Sequence, residues 1–124
     1  MKLIDLVQAR KIINQHGQDR VAASLAYKMM KMMKASENDE AFYNTRLREI
    51  ADRYGQKDGA GKLVFNGDGL CIELEYVEEC KKAVGELDNT EIGVPTVSFS
   101  IHELDGLKLS MREVFALENL IEEG

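Results

Sequence analysis

The sequence predicts a helix-dominated α+β fold in one domain, residues 1–124: a long helix or helix pair, a short β-hairpin and a C-terminal helix. Apolar residues recur every three or four positions over most of the chain, which is typical of helices with one buried face. Residues 62–74 instead hold two β-prone runs around Asn-Gly-Asp-Gly, a composition typical of a hairpin turn. There is one proline, Pro95, so long elements are not interrupted, and 124 residues suffice for one core.

The first helix is expected over residues 6–15, where apolar residues follow helical spacing. Asp5 is placed to cap its N-terminus, with Gln8 three residues later as its capping-box partner. Gly17 suits the left-handed position that often follows a helix.

A second helical pattern spans residues 19–54. Its apolar residues step by three and four as far as Met32 and resume, one position out of phase, at Tyr43. The intervening residues 36–40 are rich in polar side chains that compete for helix hydrogen bonds. The pattern therefore fits either one helix of about 54 Å, at 1.5 Å per residue, or two helices broken near Asn38; we favour the single helix.

The second half of the chain is expected to alternate loops and short elements. The glycines at 55–61 end the preceding helix, and helical spacing returns at 75–86, after the hairpin. Residues 90–99 include β-branched side chains and Pro95, which favours an edge strand or an extended crossing segment.

Two capping boxes predict helix starts near the C-terminus. Ser100 with Glu103 starts a short helical turn, and Ser110 with Glu113 starts the last helix. The last helix is expected to bury one apolar stripe, formed by Val114, Leu117, Leu120 and Ile121.

The composition predicts a cytoplasmic protein with no membrane partner. Asp5, Arg10 and Lys11 interrupt the N-terminal apolar stretch, so it lacks the apolar region of a secretory signal. No apolar run approaches the roughly 18 to 20 residues of a membrane span. Cys71 and Cys80 are therefore expected to be reduced thiols that pack as small core residues.

The charges are distributed unevenly along the chain. Residues 1–62 hold 12 Lys and Arg against 8 Asp and Glu, whereas residues 63–124 hold 4 against 14. Either the two halves pack together so that their facing charges complement each other, or the acidic half presents a surface to a basic partner. We favour packing of the halves.

The sequence lacks the signatures of a metal, cofactor or catalytic site. His16 and His102 lie far apart, whereas a metal needs three or four converging ligands. The glycines at 55–69 match no phosphate-binding motif, and the carboxylates at 73–79 lack calcium-loop spacing. No motif supports a thiol paired with His102 as nucleophile and base. We therefore expect a protein that is not an enzyme and that carries no cofactor.

The least ordinary feature is a methionine-rich run at 27–34. Four methionines in five residues cover more than one helix face, so either most are core or some face a partner, which a flexible thioether suits. Its three lysines could contact phosphates, but the acidic isoelectric point of about 5.0 makes a nucleic-acid partner the weaker interpretation. The predicted partner-binding residues are Tyr27, Lys28, Met29, Met30, Lys31, Met32, Met33 and Lys34.

Several segments carry a resemblance to a family. These are MKLIDLVQAR at 1–10, LAYKMMKMMK at 25–34, TRLREIADRYGQKDGAGK at 45–62, ELDNTEI at 86–92 and SIHELDGLKLSMREVFALENLIEE at 100–123. Together they resemble an uncharacterised family of small phage and prophage proteins of Gram-positive bacteria. The resemblance implies no site residue, only a setting in the cytoplasm of an infected or lysogenic cell.

These observations lead to one functional expectation and two alternatives. We expect a non-enzymatic module that binds protein, either a second copy of itself in a homo-oligomer or a host or phage protein. The alternatives are an assembly factor or chaperone in phage morphogenesis and a regulator that contacts nucleic acid through the basic half.

Overall fold

A computed structural model describes residues 1–93, 95 and 97–122. Helices dominate these residues, and a two-stranded antiparallel hairpin lies near the middle of the chain, which confirms the helix-dominated α+β prediction. The helices are α1 (Leu3–Gln15), α2 (Ala23–Ala35), α3 (Glu37–Tyr54), α4 (Val77–Asp88), α5 (Ile101–Leu104) and α6 (Met111–Ala116). The strands are β1 (Phe65–Asn66) and β2 (Gly69–Leu70), and short 3-10 turns cover Leu74–Tyr76 and Glu118–Leu120.

The favoured single long helix is wrong, because the chain breaks at Ser36 into α2 and α3. In a continuous helix the Met33 carbonyl would accept a hydrogen bond from the Glu37 amide. Here it accepts one from the guanidinium Nη1 of Arg10. The Ser36 hydroxyl donates to the Met32 carbonyl (2.6 Å) and also accepts from Arg10 (2.7 Å). Side-chain hydrogen bonds therefore replace part of the helix ladder where the apolar pattern changes phase.

The start of α1 also differs from the prediction. The helix begins at Leu3, two residues before Asp5, and Lys2 at its N-cap provides no side-chain hydrogen bond. The Leu3 amide instead donates to the Thr90 carbonyl (2.8 Å), beside an antiparallel bridge between Lys2 and Glu91. The segment after α4 thus satisfies an amide that a capping side chain would otherwise bind.

The end of α1 lies where the sequence predicts it, but its geometry is different. Gly17 does not have the expected left-handed backbone. Its amide donates to the Asn14 carbonyl (3.1 Å), and the His16 carbonyl accepts from the Asp19 amide (3.1 Å). Tight turns of this kind close a helix without a positive φ.

The predicted hairpin is confirmed, with shorter strands. Phe65 pairs with Leu70, and Gly67 in the turn has a φ of 65°, which favours glycine. Val64 lies just before β1, and its amide donates to the Gln56 carbonyl (2.9 Å), which is outside the hairpin. The β-prone residues outside the strands therefore tie the hairpin to the chain that follows α3.

Both predicted capping boxes are confirmed. The helix predicted to follow the hairpin is also confirmed and is α4. The Ser100 hydroxyl accepts from the Glu103 amide and the Ser110 hydroxyl from the Glu113 amide, and each glutamate carboxylate accepts in turn from the amide of its serine. In the predicted extended segment 90–99, residues 94 and 96 lie outside the described residues. At its end Phe99 pairs in parallel with Ile121.

Helix α1 is central to the packing because its apolar residues enter two clusters. The larger cluster joins α1, α2 and the C-terminal elements; it comprises Leu6, Ala9, Ile13, Leu25, Met29, Met32, Val97, Phe99, Leu104, Leu107, Leu117 and Leu120. The smaller cluster joins α1, α3 and α4 through Leu3, Tyr43 and Leu87. The hydroxyl of Tyr43 also donates to Asp88 (2.8 Å), and burial together with this bond raises its pKa to about 12.

The two oppositely charged halves are joined by ion pairs. Lys28 binds Glu103 (2.7 Å), His16 binds Glu113 (2.6 Å), and the N-terminal amine binds Glu91 (3.2 Å). These pairs support the interpretation that the charge asymmetry serves internal packing.

Two further properties bear on the sequence predictions. Cys71 and Cys80 are free and half-buried. Within residues 1–93, 95 and 97–122, no helix combines the length and the apolarity that crossing a membrane requires.

Candidate protein-binding surfaces

The methionine-rich run of α2 is divided between core and surface. Met29 and Met32, two of the predicted partner-binding residues, are buried in the larger cluster and are not accessible at the surface. They share a face with Leu25, and that face packs toward α1 and the C-terminal elements. Met30 is 43% exposed and Tyr27 58% exposed. Only part of the predicted surface is therefore accessible to a partner.

The three lysines of the run have different surroundings. Lys28 donates to the carboxylate of Glu103 and to the Ser98 carbonyl (3.1 Å). Lys31 lies 5.4 Å from the centre of the Tyr27 ring, a cation–π distance. Lys34 is exposed. One of the three lysine charges is therefore used in a contact within the protein, which weakens the interpretation of these lysines as a phosphate-binding surface.

A pocket of about 200 Å³ lies between α1 and α2. Met29, Met30 and Met33 contribute to its lining. His16 and Asp19 line it as well. This pocket is the part of the methionine-rich run that combines apolar and titratable groups.

His16 is held between two carboxylates. Its Nδ1 lies 2.6 Å from Asp19 and its Nε2 lies 2.6 Å from Glu113, and its side chain is largely buried. These hydrogen bonds, first that to Asp19 and then that to Glu113, raise the pKa of His16 above its ordinary 6.5. The same contact with His16 lowers the pKa of Glu113 below 4.5.

The geometry gives His16 a structural role, which is to join α1 to α6, and does not suit it to act as a general base. Both ring nitrogens are hydrogen-bonded to carboxylates of the protein, so neither is positioned to take a proton from a substrate. Glu113 uses its other oxygen in the capping box of α6. The His16 bridge therefore fixes the start of α6 to the end of α1.

An exposed apolar groove lies between α5, α6 and the 3-10 turn that follows α6. Met111 is 84% exposed, Phe115 75% and Ile101 51%. They line a groove of about 410 Å³, which we call the C-terminal groove. Its remaining lining residues are Val114, Glu118 and Ile121.

Sequence reasoning missed this surface. Leu117 and Leu120 of the predicted stripe are buried, as expected, but Val114 and Ile121 are half-buried and line the groove. Met111 and Phe115 are four residues apart, so they share the helix face that points away from the buried leucines. The sequence signal for the groove was the spacing of Met111 and Phe115, two large apolar residues that do not fall in phase with the predicted buried stripe of the last helix.

Other exposed apolar residues lie elsewhere on the molecule. Leu74, in the 3-10 turn before α4, is 92% exposed. Phe42 on α3 lies 5.4 Å from the guanidinium of Arg46. These side chains are not part of the C-terminal groove.

Metal ligands and known relatives offer no further site. In the described part of the chain, no group of three or more His, Cys, Asp or Glu residues could hold a metal ion. Asp19 and Glu113 bind different nitrogens of His16, so the three residues do not converge on one centre. Comparison of the chain with protein families, with curated proteins and with solved structures found no match.

Proposed function

We propose that this protein is a non-enzymatic protein-binding module and that the C-terminal groove is its binding surface. The observation that carries the proposal is the exposure of three large apolar side chains, Ile101, Met111 and Phe115, around one groove. Contiguous apolar surface in contact with water is unfavourable, at roughly 25 cal/mol per Å². In folded proteins such a patch commonly marks a partner site.

The composition of the groove agrees with a protein partner. Aromatic residues and methionine are enriched at the centres of protein interfaces, where they contribute large apolar area. A rim of charged residues gives orientation to such a contact. Glu118 supplies such a charge within the groove.

The C-terminal groove is favoured over the methionine-rich run of α2. Two of the four methionines there are core residues, and Lys28 is engaged by Glu103. What remains exposed is Tyr27, Met30, Lys31 and Lys34. That remainder contains fewer strongly exposed apolar side chains than the groove does.

The resemblance to phage and prophage proteins supplies the setting of the proposal. The protein would act in the cytoplasm of a bacterial host, where its partner is a second copy, a host protein or a phage protein. An assembly factor or chaperone of phage morphogenesis would use the same kind of apolar surface.

Site-specific photo-crosslinking tests the proposal. Benzoylphenylalanine replaces Phe115 in one variant and Leu74 in a control, and both are produced in a Gram-positive host and irradiated. Both positions are strongly exposed, so exposure alone cannot distinguish them. We expect a protein adduct from position 115 and none from position 74, and Met111→Glu should remove that adduct without changing the circular dichroism spectrum.

Two results would overturn the proposal. One is the absence of an adduct at position 115, and the other is an equal yield at positions 115 and 74. A third variant, with the crosslinker at Tyr27, tests the surface of α2. An adduct at position 27 with none at 115 would assign binding to α2 and refute the groove.

A further inference from the structure

We infer that the occupant of the C-terminal groove is a second copy of this chain, with two α6 helices packed antiparallel about a two-fold axis near Phe115. The inference rests on the proposed function, since it names the partner of that surface. It draws on the order of apolar and charged residues along residues 111–121, which comprise α6 and the 3-10 turn after it. That order is self-complementary, as a two-fold interface requires.

The apolar residues satisfy this symmetry. A two-fold axis near Phe115 places this ring against the same ring of the second copy. It also directs Met111, four residues before the axis, toward the 3-10 turn of the second copy, where Ile121 lines the groove. Both protruding side chains then enter an apolar groove from opposite sides.

The charged residues satisfy it as well. Arg112 precedes Phe115 by three residues and Glu118 follows it by three, and both are exposed. Arg112 lies in the first turn of α6, and Glu118 begins the 3-10 turn that follows this helix. In the antiparallel arrangement Arg112 of each copy approaches Glu118 of the other, so two opposite-charge pairs flank one apolar centre.

The alternative occupant is a basic amphipathic helix, which an acidic rim would attract. Arg112 on α6 and Glu118 in the turn after it stand three residues before and three residues after Phe115, a pattern that matches itself better than it matches a uniformly basic partner. Because α6 has only six residues, the interface is small. We therefore expect a dimer with a dissociation constant in the micromolar range, roughly 1 to 100 μM.

Sedimentation velocity over a concentration series tests the inference. The unaltered chain should shift from monomer to dimer as its concentration rises. Arg112→Glu and Glu118→Arg should each raise the dimer dissociation constant roughly tenfold, because each places like charges together twice per dimer. The double variant, with Arg112→Glu and Glu118→Arg, restores opposite charges and should return the constant to within about threefold of the original.

The design separates interface charge from net charge. The two single variants change the net charge in opposite directions, yet both are expected to weaken the dimer. Arg48→Glu on the exposed surface of α3 changes the net charge as Arg112→Glu does and should leave the constant unchanged. Circular dichroism spectra confirm that each variant is folded.

Failure of the inference is distinguishable from failure of the proposed function. A chain that stays monomeric to about 1 mM, or a double variant that is not rescued, would overturn the inference. If the crosslinker at position 115 still gave an adduct of a mass other than twice that of the chain, the groove would remain a protein-binding surface with a different occupant. If it gave no adduct, both would fail.

Discussion

Arg10 connects α1 to the break between α2 and α3, and its replacement by methionine tests that role. Its guanidinium is buried and binds three acceptors: Glu40 (2.7 Å), the Ser36 hydroxyl (2.7 Å) and the Met33 carbonyl. Methionine is unbranched and flexible and fills most of the space taken by the apolar stem of Arg10, so a cavity is a minor part of the effect of Arg10→Met. What the variant removes is the charge and the three hydrogen bonds.

The expected loss of stability follows from the acceptors left behind. A buried acceptor without a donor costs about 1–3 kcal/mol, which applies to the Met33 carbonyl. The Ser36 hydroxyl keeps its bond to Met32 and contributes less. The carboxylate of Glu40 is 36% exposed and can be hydrated, so its lost ion pair contributes about 0.2–1 kcal/mol. Arg10→Met should therefore lower the free energy of unfolding by about 1–4 kcal/mol.

Urea denaturation followed by circular dichroism measures this loss. Arg10→Lys retains a charge but lacks the fork that reaches three acceptors, so we expect about half the effect. Arg48→Met, at an exposed position of α3, is the matched control and should change stability by less than about 0.5 kcal/mol. If Arg10→Met were as stable as this control, the guanidinium would not hold the helix break together.

Two further predictions concern the His16 bridge and the methionine-rich run. Because the pKa of His16 is raised above 6.5, the stability that its bridge contributes is fully present below pH 6.5 and is lost as the pH rises through the folded-state pKa. Between pH 6 and about pH 9 the melting temperature of the unaltered chain should therefore fall more steeply than that of His16→Gln. Parallel plots of melting temperature against pH for the two proteins would contradict this prediction. Met32→Ala should cost about 2–5 kcal/mol because Met32 is fully buried, whereas Met30→Ala should cost less than about 1 kcal/mol. Equal urea midpoints for these two variants would refute the division of the run into core and surface.

Features governed by neighbours in the sequence could be predicted well. The capping boxes at Ser100 and Ser110 depend on residues three positions apart, and both are present in the structure. The hairpin turn around Gly67 likewise depends on local backbone preference. In contrast, the predicted N-cap Asp5 depended on a local pattern, whereas the first amide of α1 is bound by the carbonyl of Thr90, which is distant in the sequence.

The break between α2 and α3 shows where local reasoning fails. The one-position change in the apolar phase indicated a discontinuity, but the sequence pattern also fitted one continuous helix. Arg10 decides the outcome, and its partners are 23 to 30 residues away. A buried arginine in the middle of α1 has no local signature that distinguishes it from an exposed one.

The candidate site was the least predictable feature because exposure depends on which elements surround a helix. The periodicity of α6 identified a buried stripe, and Leu117 and Leu120 are indeed buried. It could not show that the opposite face, with Met111 and Phe115, is left uncovered by the rest of the described chain. The His16 bridge fixes the orientation of that face by tying Glu113 to α1. Among the described residues neither Met111 nor Phe115 belongs to a core cluster, so the fold does not account for two large apolar side chains at this position, and their exposure supports the proposal that a partner covers them.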